Sequence, residues 1–293
     1  MMTNPKKSSA VRFAFFGTSH IAVYALEALA QANLMPALVV TQPPKPKGRG
    51  LEEKPTQVEL WARDSGIPVA HDTQEFEAGK WDVAIVVDYG NMLPKNVLDV
   101  PRCGFLNVHP SLLPRLRGAS PIRSAILNDE RTTGVSVMLV SEGMDEGPIV
   151  AQKKIEVTPW PIGNAALETM LMQEGGKLLA QILPQWVAGE VDAHGQNHDV
   201  ATYAEKITKE DGLLDLSADA YKNLLKIRAY EGWPGTYAFF ERNGKSASRR
   251  IRVGIIDAHI ENGKLVIARV KPEGKKEMGY EEFVRSGAKP ATN

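Results

Sequence analysis

In the N-terminal part of the chain, short apolar blocks alternate with amphipathic segments, which is the pattern of strands and helices that follow one another. Four continuous apolar runs predict buried strands, at residues 11–16, 37–41, 67–70 and 82–87. Apolar residues at helical spacing predict helices at residues 21–33 and 56–64. Thr56 and Glu59 have the spacing of a capping box. This order predicts a parallel sheet with right-handed crossovers.

The middle of the chain continues the pattern. Three elements are predicted there, namely a strand ending at His109, a helix over residues 119–128 and a strand over residues 135–140. Residues 149–157 begin apolar and end alternating, so we expect an antiparallel edge strand. A long helix is expected over residues 164–188, and its glycines and proline predict a bend or a frayed region, at Gly175, Gly176 and Pro184.

The composition changes after Gln196. A helix is expected over residues 213–229, and three short strands follow, at residues 236–241, 248–260 and 264–270. Short strands separated by Gly and Asn favour a small barrel or sandwich. We therefore predict an α/β chain in which a Rossmann-like domain precedes a smaller β-domain. The expected parts are a disordered tail (1–10), a catalytic domain (11–195), a linker (196–212) and a barrel-like domain (213–293).

Composition narrows the possible functions. The 293 residues are 43% hydrophobic and 24% charged, with a formal net charge of zero, so no global field attracts nucleic acid. The single cysteine, Cys103, excludes an intrachain disulfide and is expected to be an inert thiol in a reducing compartment, the cytoplasm. The polar opening residues do not resemble a secretory signal, and no apolar run is long enough to span a membrane.

Three polar residues stand where an α/β sheet keeps its ligands. Asn107 and His109 are two apart in an apolar run, so a strand would point both side chains to one face. Pro110 ends that run, which places the pair at the strand's carboxyl end. Asp145 lies in a polar turn after the next strand. An amide, an imidazole and a carboxylate are therefore expected to converge on one edge of the sheet.

Such a trio is suited to acyl transfer to an amine. Attack on an amide-like carbonyl creates a negatively charged oxygen, which Asn107 and protonated His109 can stabilise by donating hydrogen bonds. The attacking amine must lose a proton, which Asp145 can accept directly or through a water. Each residue alone is more often a cap, turn or core residue than a catalytic one, so only the combination is specific.

The combination carries a family resemblance. The segments NVHPSLLPRLRG, TGVSVM and EGMDEG closely resemble those of the folate-dependent formyltransferases, and in particular the branch that acts on methionyl-tRNA. The resemblance extends from residues 15–18 to the C-terminal tail and implies that Asn107, His109 and Asp145 are catalytic. The family commonly has a small residue at the position of Pro110, a difference that could stiffen the loop but removes no reacting group.

The resemblance also implies a folate site. It assigns the loop after the strand to the site lining, namely Ser111, Leu112, Leu113 and Pro114. It further suggests that the turn after residues 82–87 forms a wall of the pterin pocket, through Tyr89, Gly90 and Leu93. A plain strand-to-helix turn is the alternative for that segment.

The implied reaction transfers a formyl group from 10-formyltetrahydrofolate to the α-amine of methionine on charged initiator tRNA. No metal is needed, because the folate leaving group already activates the formyl amide. A monomer is expected. Three alternatives remain: a sugar-nucleotide N-formyltransferase, a formyl-folate hydrolase, and a catalytically silent folate- or RNA-binding protein.

The tRNA partner is expected to contact a basic loop at residues 42–50. Its glycines and prolines argue against regular structure. Three cations there are expected to reach phosphates or bases of the acceptor end, namely Lys45, Lys47 and Arg49. A polar surface loop without a binding role is the alternative.

The resemblance also implies an OB-like C-terminal barrel that is reduced in this chain. About twenty residues are absent before Lys264 relative to the family, which could remove two strands and expose an edge. A basic run precedes this point, and it is either a solvated face or a phosphate-contacting surface, at Arg242, Lys245, Arg249, Arg250 and Arg252. His194 and His198 have no helix to align them and are interpreted as linker residues, not metal ligands.

Overall fold

A computed structural model describes residues 11–47, 52–243, 248–285 and 287–291, with side chains at all of these except 45–47, 52, 242–243 and 248–249. The chain divides into two compact units. The N-terminal unit contains the chain up to Arg117 together with Gly134–Lys154 and Thr169–Ala201. The C-terminal unit contains Gly118–Thr133, Ile155–Glu168 and the chain from Thr202. The units therefore interleave along the sequence.

The described residues form strands and helices in the following order. The strands are β1 (Phe13–Gly17), β2 (Leu38–Val40), β3 (Lys45–Lys47), β4 (Glu52–Lys54), β5 (Val69–Ala70), β6 (Val83–Val87), β7 (Phe105–His109), β8 (Arg117–Gly118), β9 (Thr132–Leu139), β10 (Ile149–Glu156), β11 (Tyr203–Ala204), β12 (Thr236–Asn243), β13 (Ser248–Glu261), β14 (Lys264–Pro272), β15 (Met278–Gly279) and β16 (Ala288–Pro290). The helices are α1 (His20–Gln31), α2 (Gln57–Asp64), α3 (Gln74–Glu77), α4 (Lys95–Leu98), α5 (Pro121–Leu127), α6 (Asn164–Ala188), α7 (Ala220–Ala229) and α8 (Tyr280–Arg285), with 3₁₀ turns at His198–Val200 and Glu210–Gly212.

The N-terminal unit is built on a seven-stranded sheet with the order β10-β9-β7-β6-β1-β2-β5. The pairs β1–β2, β2–β5, β1–β6 and β6–β7 are parallel, and β7–β9 is antiparallel. Every residue of β1 is buried, as expected for a parallel strand covered on both faces. This arrangement confirms the predicted Rossmann-like α/β fold and the edge position of β10.

Side-chain caps explain where the first two helices begin. Ser19 accepts a hydrogen bond from the Ile21 amide at the start of α1, and Thr56 accepts one from the Glu59 amide at the start of α2. Each cap satisfies an amide that has no partner within the helix. The capping function predicted for Thr56 is thereby confirmed.

Helix α6 is continuous through its two glycines, so the helix does not fray there as predicted. A Cβ at Gly175 would lie 2.5 Å from Val108 Cγ1 on β7, and one at Gly176 would lie 2.8 Å from the Ala28 Cβ on α1. The glycines therefore permit close packing on both neighbours. Pro184 also lies within the assigned helix.

Residues 42–50 were expected to lack regular structure, and that expectation is wrong for part of the segment. β3 pairs antiparallel with β4 in a two-stranded sheet that places Pro46 opposite Glu53. Proline is compatible with an edge strand, where its missing N–H removes no ladder hydrogen bond. Residues 48–51, with Arg49 among them, lie outside the described residues.

The C-terminal unit contains an open antiparallel sheet with the order β15-β14-β13-β12-β16. Its core includes Phe240, Val253 and Val270, with Ile227 of α7 and Phe283 of α8 packed among them. The edge strands β15 and β16 are short, which limits the exposed backbone available for pairing. The sheet is a half-barrel, in agreement with the reduced OB-like domain expected from the sequence. The helix expected from residue 213 begins only at Ala220, with Asp219 as its cap.

Within the described residues, no helix is long and apolar enough to cross a membrane.

Candidate active site

His109 ends β7, and the groups around it distinguish its two ring nitrogens. Nε2 lies 2.9 Å from the Leu116 carbonyl oxygen. Because a carbonyl oxygen only accepts, Nε2 carries a proton and donates it there. Nδ1 lies 3.7 Å from Asp145 Oδ2. The ring is buried, and a proton on Nδ1 would face the Asp145 carboxylate.

Asp145 lies in the turn between β9 and β10, as predicted. Its backbone has a φ of 53°, in the left-handed region that non-glycine residues rarely adopt. The Gln196 Nε2 amide donates to the carbonyl oxygens of Asp145 and Gly147, each at 2.8 Å. A side chain from a distant segment thus holds the turn through its backbone, and the Asp145 carboxylate is turned towards His109.

Asn107 lies at the centre of β7, paired with Val86 on one side and Met138 on the other. It lines a cavity of about 230 Å³ together with Asp145. The other lining residues come from the carboxyl end of β6, the turn after it, and β9 with its following turn, namely Val86, Asn91, Met92, Leu93, Met138, Val140, Ser141, Glu142, Gly143 and Met144. The structure therefore brings Asn107 and Asp145 to one cavity, with His109 beside Asp145.

The loop from Ser111 to Pro114 is held by hydrogen bonds to its backbone. Ser111 Oγ donates to the Arg115 carbonyl at 2.6 Å, and Ser136 Oγ donates to the Ser111 carbonyl at 2.7 Å. The Leu113 amide donates to Ser136 Oγ at 3.1 Å. The side chains of Ser111 and Leu113 are buried, and Leu112 packs next to Gly134. None of Ser111–Pro114 lines the cavity of Asn107, so their role in a folate site stays a prediction.

The turn after β6 forms one wall of the cavity, with a different set of residues from that expected. Tyr89 is 5% exposed, packs edge-on against Phe16 with ring centroids 5.3 Å apart, and does not line the cavity. Burial raises the pKa of its hydroxyl. Gly90 is exposed and also stays outside the lining, whereas Leu93 lines the cavity.

Sequence reasoning missed several cavity residues. Met92 is 91% exposed and lines the cavity together with Asn91 and Met144. A methionine in a polar turn directly after a buried strand is a usable signal, because its flexible side chain adapts to different binding surfaces. Arg117 stands in the RG pair that ends the family motif, but nothing in the sequence indicated its role, and Gln196, which also supports the Asp145 turn, gave no local signal.

The site's motifs lie within a recognisable family domain. Residues 11–183 match the family model described as "Formyl transferase". The chain belongs to the formyltransferase family.

Relatives in this family match most of the chain. The methionyl-tRNA formyltransferase of Thermus thermophilus is 35% identical, over 96% of this chain and 98% of its own length. The methionyl-tRNA formyltransferase of Chloroflexus aggregans is 37% identical, over 78% of this chain and 77% of its own length.

Solved structures share the formyltransferase fold. An N-formyltransferase from Helicobacter canadensis, in complex with folinic acid and dTDP-3-aminofucose, has a TM-score of 0.64 and 17% identity, over 86% of this chain and 88% of its own. The methionyl-tRNA formyltransferase from Clostridium thermocellum has a TM-score of 0.57 and 15% identity, over 89% of this chain and 98% of its own. At these identities the likeness shows the fold alone.

The predicted basic loop is only partly described. Lys45 and Lys47 lie in β3, but their side chains, like the whole of Arg49, are outside the described part of the structure. The role of these three cations in tRNA binding stays a prediction.

Among the described residues, no group of three His, Cys, Asp or Glu could hold a metal ion. Arg117 Nη1 donates a hydrogen bond to His198 Nδ1 at 3.3 Å.

The C-terminal unit presents basic side chains on aromatic rings. Arg252 lies 3.7 Å from the ring centroid of Tyr237, and Arg250 lies 4.2 Å from that of Phe239. These residues alternate along β12 and β13 with the buried Ala238, Phe240 and Val253, so they share the outer face. The face adjoins a cavity of about 550 Å³ that Lys271 and Arg269 also line.

Proposed function

We propose that this chain transfers a formyl group from 10-formyltetrahydrofolate to the α-amine of methionine on charged initiator tRNA. The observation that carries the proposal is the convergence of Asn107 and Asp145 on one cavity, with His109 Nδ1 3.7 Å from the Asp145 carboxylate. Relatives named methionyl-tRNA formyltransferase match nearly the full length of the chain. A translation substrate implies work in the cytoplasm, and we propose that a single copy of the chain suffices.

The cavity suits the flat heterocycle of a folate. Its apolar lining comes from side chains at Met92, Leu93, Met138 and Val140, and its polar groups from Asn91, Asn107, Ser141, Glu142 and Asp145. Ligand sites of this kind combine an apolar slot with a few convergent polar groups that orient the ring. When bound, the folate supplies the formyl group as an amide that is already activated. Tyr89, Gly90 and the loop 111–114 would support this site from behind its lining.

Each member of the trio has a role that follows from charge. Negative charge develops on the formyl oxygen during attack, and the Asn107 amide and a protonated His109 Nδ1 can donate hydrogen bonds to it. Asp145 stabilises the charged imidazole and accepts the proton that the attacking amine loses. The 3.7 Å separation between Nδ1 and Oδ2 is longer than a hydrogen bond. Catalytic contacts often shorten only when substrate is bound.

Charged tRNA would be held by cations outside the cavity. We propose Lys45, Lys47 and Arg49 as contacts for the acceptor end. The stacked arginines on β13 are suited to the phosphate backbone, because a guanidinium on an aromatic ring is preorganised for bidentate contact.

A sugar-nucleotide N-formyltransferase is the second candidate, because the trio alone does not determine which amine accepts the formyl group. The deciding experiment offers the purified chain 10-formyltetrahydrofolate with either charged initiator tRNA or an amino sugar nucleotide. The proposal expects formyl-methionyl-tRNA, with kcat/KM for tRNA at least about 10³ times that for the sugar, since a missing set of polar contacts costs several orders of magnitude. The reverse preference would replace the proposed acceptor. Release of formate without an acceptor would indicate a hydrolase, and folate binding without turnover a silent binding protein.

A further inference from the structure

Arg117 is a charged side chain with no exposed surface, and it lies outside the catalytic trio. Its Nε and Nη2 donate to Gln196 Oε1 at 3.0 and 2.8 Å. Its Nη1 donates to His198 Nδ1 at 3.3 Å and lies 3.7 Å from Glu146 Oε1. Burying a guanidinium is costly unless its donors are satisfied. An apolar residue would fill the same space without the free-energy penalty of desolvating a charge, so Arg117 is expected to have a role beyond packing.

Gln196 connects Arg117 to the turn that carries Asp145. Its Oε1 accepts both Arg117 donors, and its Nε2 donates to the carbonyl oxygens of Asp145 and Gly147. Gln196 is 8% exposed, so each end of its amide is committed to these partners. Because Arg117 can only donate, it also determines which end of the amide faces the turn.

The turn needs such a restraint. Asp145 has a φ of 53°, a backbone conformation that is strained for a residue with a Cβ and persists only when its surroundings enforce it. A Cβ at Gly147 would collide with the Leu139 carbonyl oxygen, so the chain passes directly over the end of β9. The two hydrogen bonds from Gln196 hold both sides of this conformation.

The residue before Arg117 restrains His109 in parallel. The Leu116 carbonyl accepts from His109 Nε2 at 2.9 Å, and Leu116 itself has a φ of 55°. Two consecutive residues are thus linked to His109 and to Asp145, one by a direct hydrogen bond and the other by way of Gln196. Leu116 orients the imidazole directly, and Arg117 orients the carboxylate through Gln196. A displacement of this short segment would change the distance between Nδ1 and Oδ2.

We propose that Arg117 and Gln196 are positioning residues, which hold the Asp145 carboxylate against His109 for formyl transfer. This inference rests on the proposed function. Neither residue lines the cavity of Asn107. They act on the chemical step through the Asp145 backbone, and leave folate binding to the lining residues.

The variant Gln196→Glu tests the connection. A carboxylate still accepts from Arg117, and as an ion pair it keeps the buried guanidinium satisfied, but it has no proton for the Asp145 and Gly147 carbonyls. We expect kcat to fall about 10- to 100-fold, since misplacement of a reacting group by about 1 Å has that effect. Folate affinity should stay close to wild type, and the variant should remain folded with a melting temperature lowered by only a few degrees, because two buried carbonyls lose their donor. Gln57→Glu, an exposed residue on α2, is the charge-matched control.

A double-mutant cycle separates positioning from a merely structural role. If Gln196 acts through Asp145, adding Gln196→Glu to Asp145→Ala should lower kcat by less than about twofold, because one group is already lost. A structural role predicts the same loss in both backgrounds. Gln196→Asn keeps the amide without adding charge but is too short to reach both partners, and it should reproduce the coupled loss.

The possible outcomes are distinguishable. A normal kcat in a folded Gln196→Glu or Gln196→Asn variant, or a loss that simply adds to that of Asp145→Ala, would overturn the positioning proposal. If the wild-type chain fails to formylate charged tRNA, the proposed function is wrong instead. A coupled loss of kcat with unchanged folate affinity supports both.

Discussion

At the scale of single residues, the two ring nitrogens of His109 have different partners. Nε2 donates to a backbone carbonyl, which fixes the plane of the ring. Nδ1 faces Asp145 and can serve the substrate. Removal of the ring should therefore affect the chemical step, because the side chain lies at the end of β7 and does not line the cavity proposed for the folate.

The variant His109→Ala should lower kcat by at least about 10²-fold, the usual effect of losing an acid–base or oxyanion group. Steady-state formylation measures kcat, and fluorescence titration measures folate affinity, which should change little. His259→Ala, at an exposed position on β13, is the matched control. Normal turnover by a folded His109→Ala variant would remove His109 from the mechanism.

Arg49 belongs to the basic loop, outside the described residues, so its prediction rests on chemistry alone. Its planar guanidinium can recognise a phosphate or a base edge with two hydrogen bonds, whereas lysine acts as a point charge. Arg49→Ala should strongly lower kcat/KM for charged tRNA and leave folate affinity unchanged, and Arg49→Lys should recover part of the loss. Equal losses in both measurements would instead assign the loop to the folate pocket.

At the scale of elements, two glycines allow α6 to pack closely against β7 and α1. A methyl group at Gly175 would collide with Val108, which lies in β7 between Asn107 and His109. The glycine pair therefore determines how closely the long helix supports the strand that carries the site. This is a packing role, and it does not interrupt the helix.

Gly175→Ala sets two effects against each other. Alanine favours the helix by about 1 kcal/mol, whereas overpacking a filled core costs about 1–3 kcal/mol. The balance predicts that the free energy of unfolding falls, by up to about 2 kcal/mol, in urea titrations. Gly195→Ala, where an added Cβ meets open space, should leave stability nearly unchanged. Stabilisation by Gly175→Ala would show that the contact with Val108 relaxes freely.

The outer face of β12 and β13 supports a prediction about nucleic acid. Arg250 and Arg252 are exposed and stacked on rings, so they are available to phosphates with little further ordering. Replacing both by Gln should weaken tRNA binding and reduce the slope of log K against log salt by about one to two units. Arg285→Gln on α8 is the control. An unchanged slope would leave this face as solvated surface.

At the scale of the whole molecule, periodicity was sufficient for the strands of the seven-stranded sheet and for the longer helices packed on it. Buried runs such as residues 82–87 have few alternatives to a parallel strand, and Thr56 marked a helix start through its own cap. The strand ending at His109 and the turn with Asp145 followed from the same patterns. The convergence of Asn107, His109 and Asp145 could therefore be predicted from the sequence.

The remaining features depend on contacts between distant segments. Gly175 and Gly176 are helix-weakening residues locally, and only their neighbours on β7 and α1 show why glycine is required. Arg117 and Gln196 are hydrogen-bonded although they are 79 residues apart in the sequence, and no local pattern reveals such a contact. Tyr89 lies in the expected turn, but the conformation of the turn directs its ring to the core and leaves Met92 at the cavity.

The most direct test of the account is the single-turnover rate of formyl-methionyl-tRNA formation by Asp145→Asn. This substitution removes the negative charge but keeps the shape, and Gln196 still holds the turn because it binds the backbone carbonyl. Asp192→Asn, at an exposed position in the same unit, is the control. The account predicts a rate at least about 10²-fold below wild type when measured at saturating folate, so that weaker folate binding cannot account for the loss. A wild-type rate in the folded variant would contradict it.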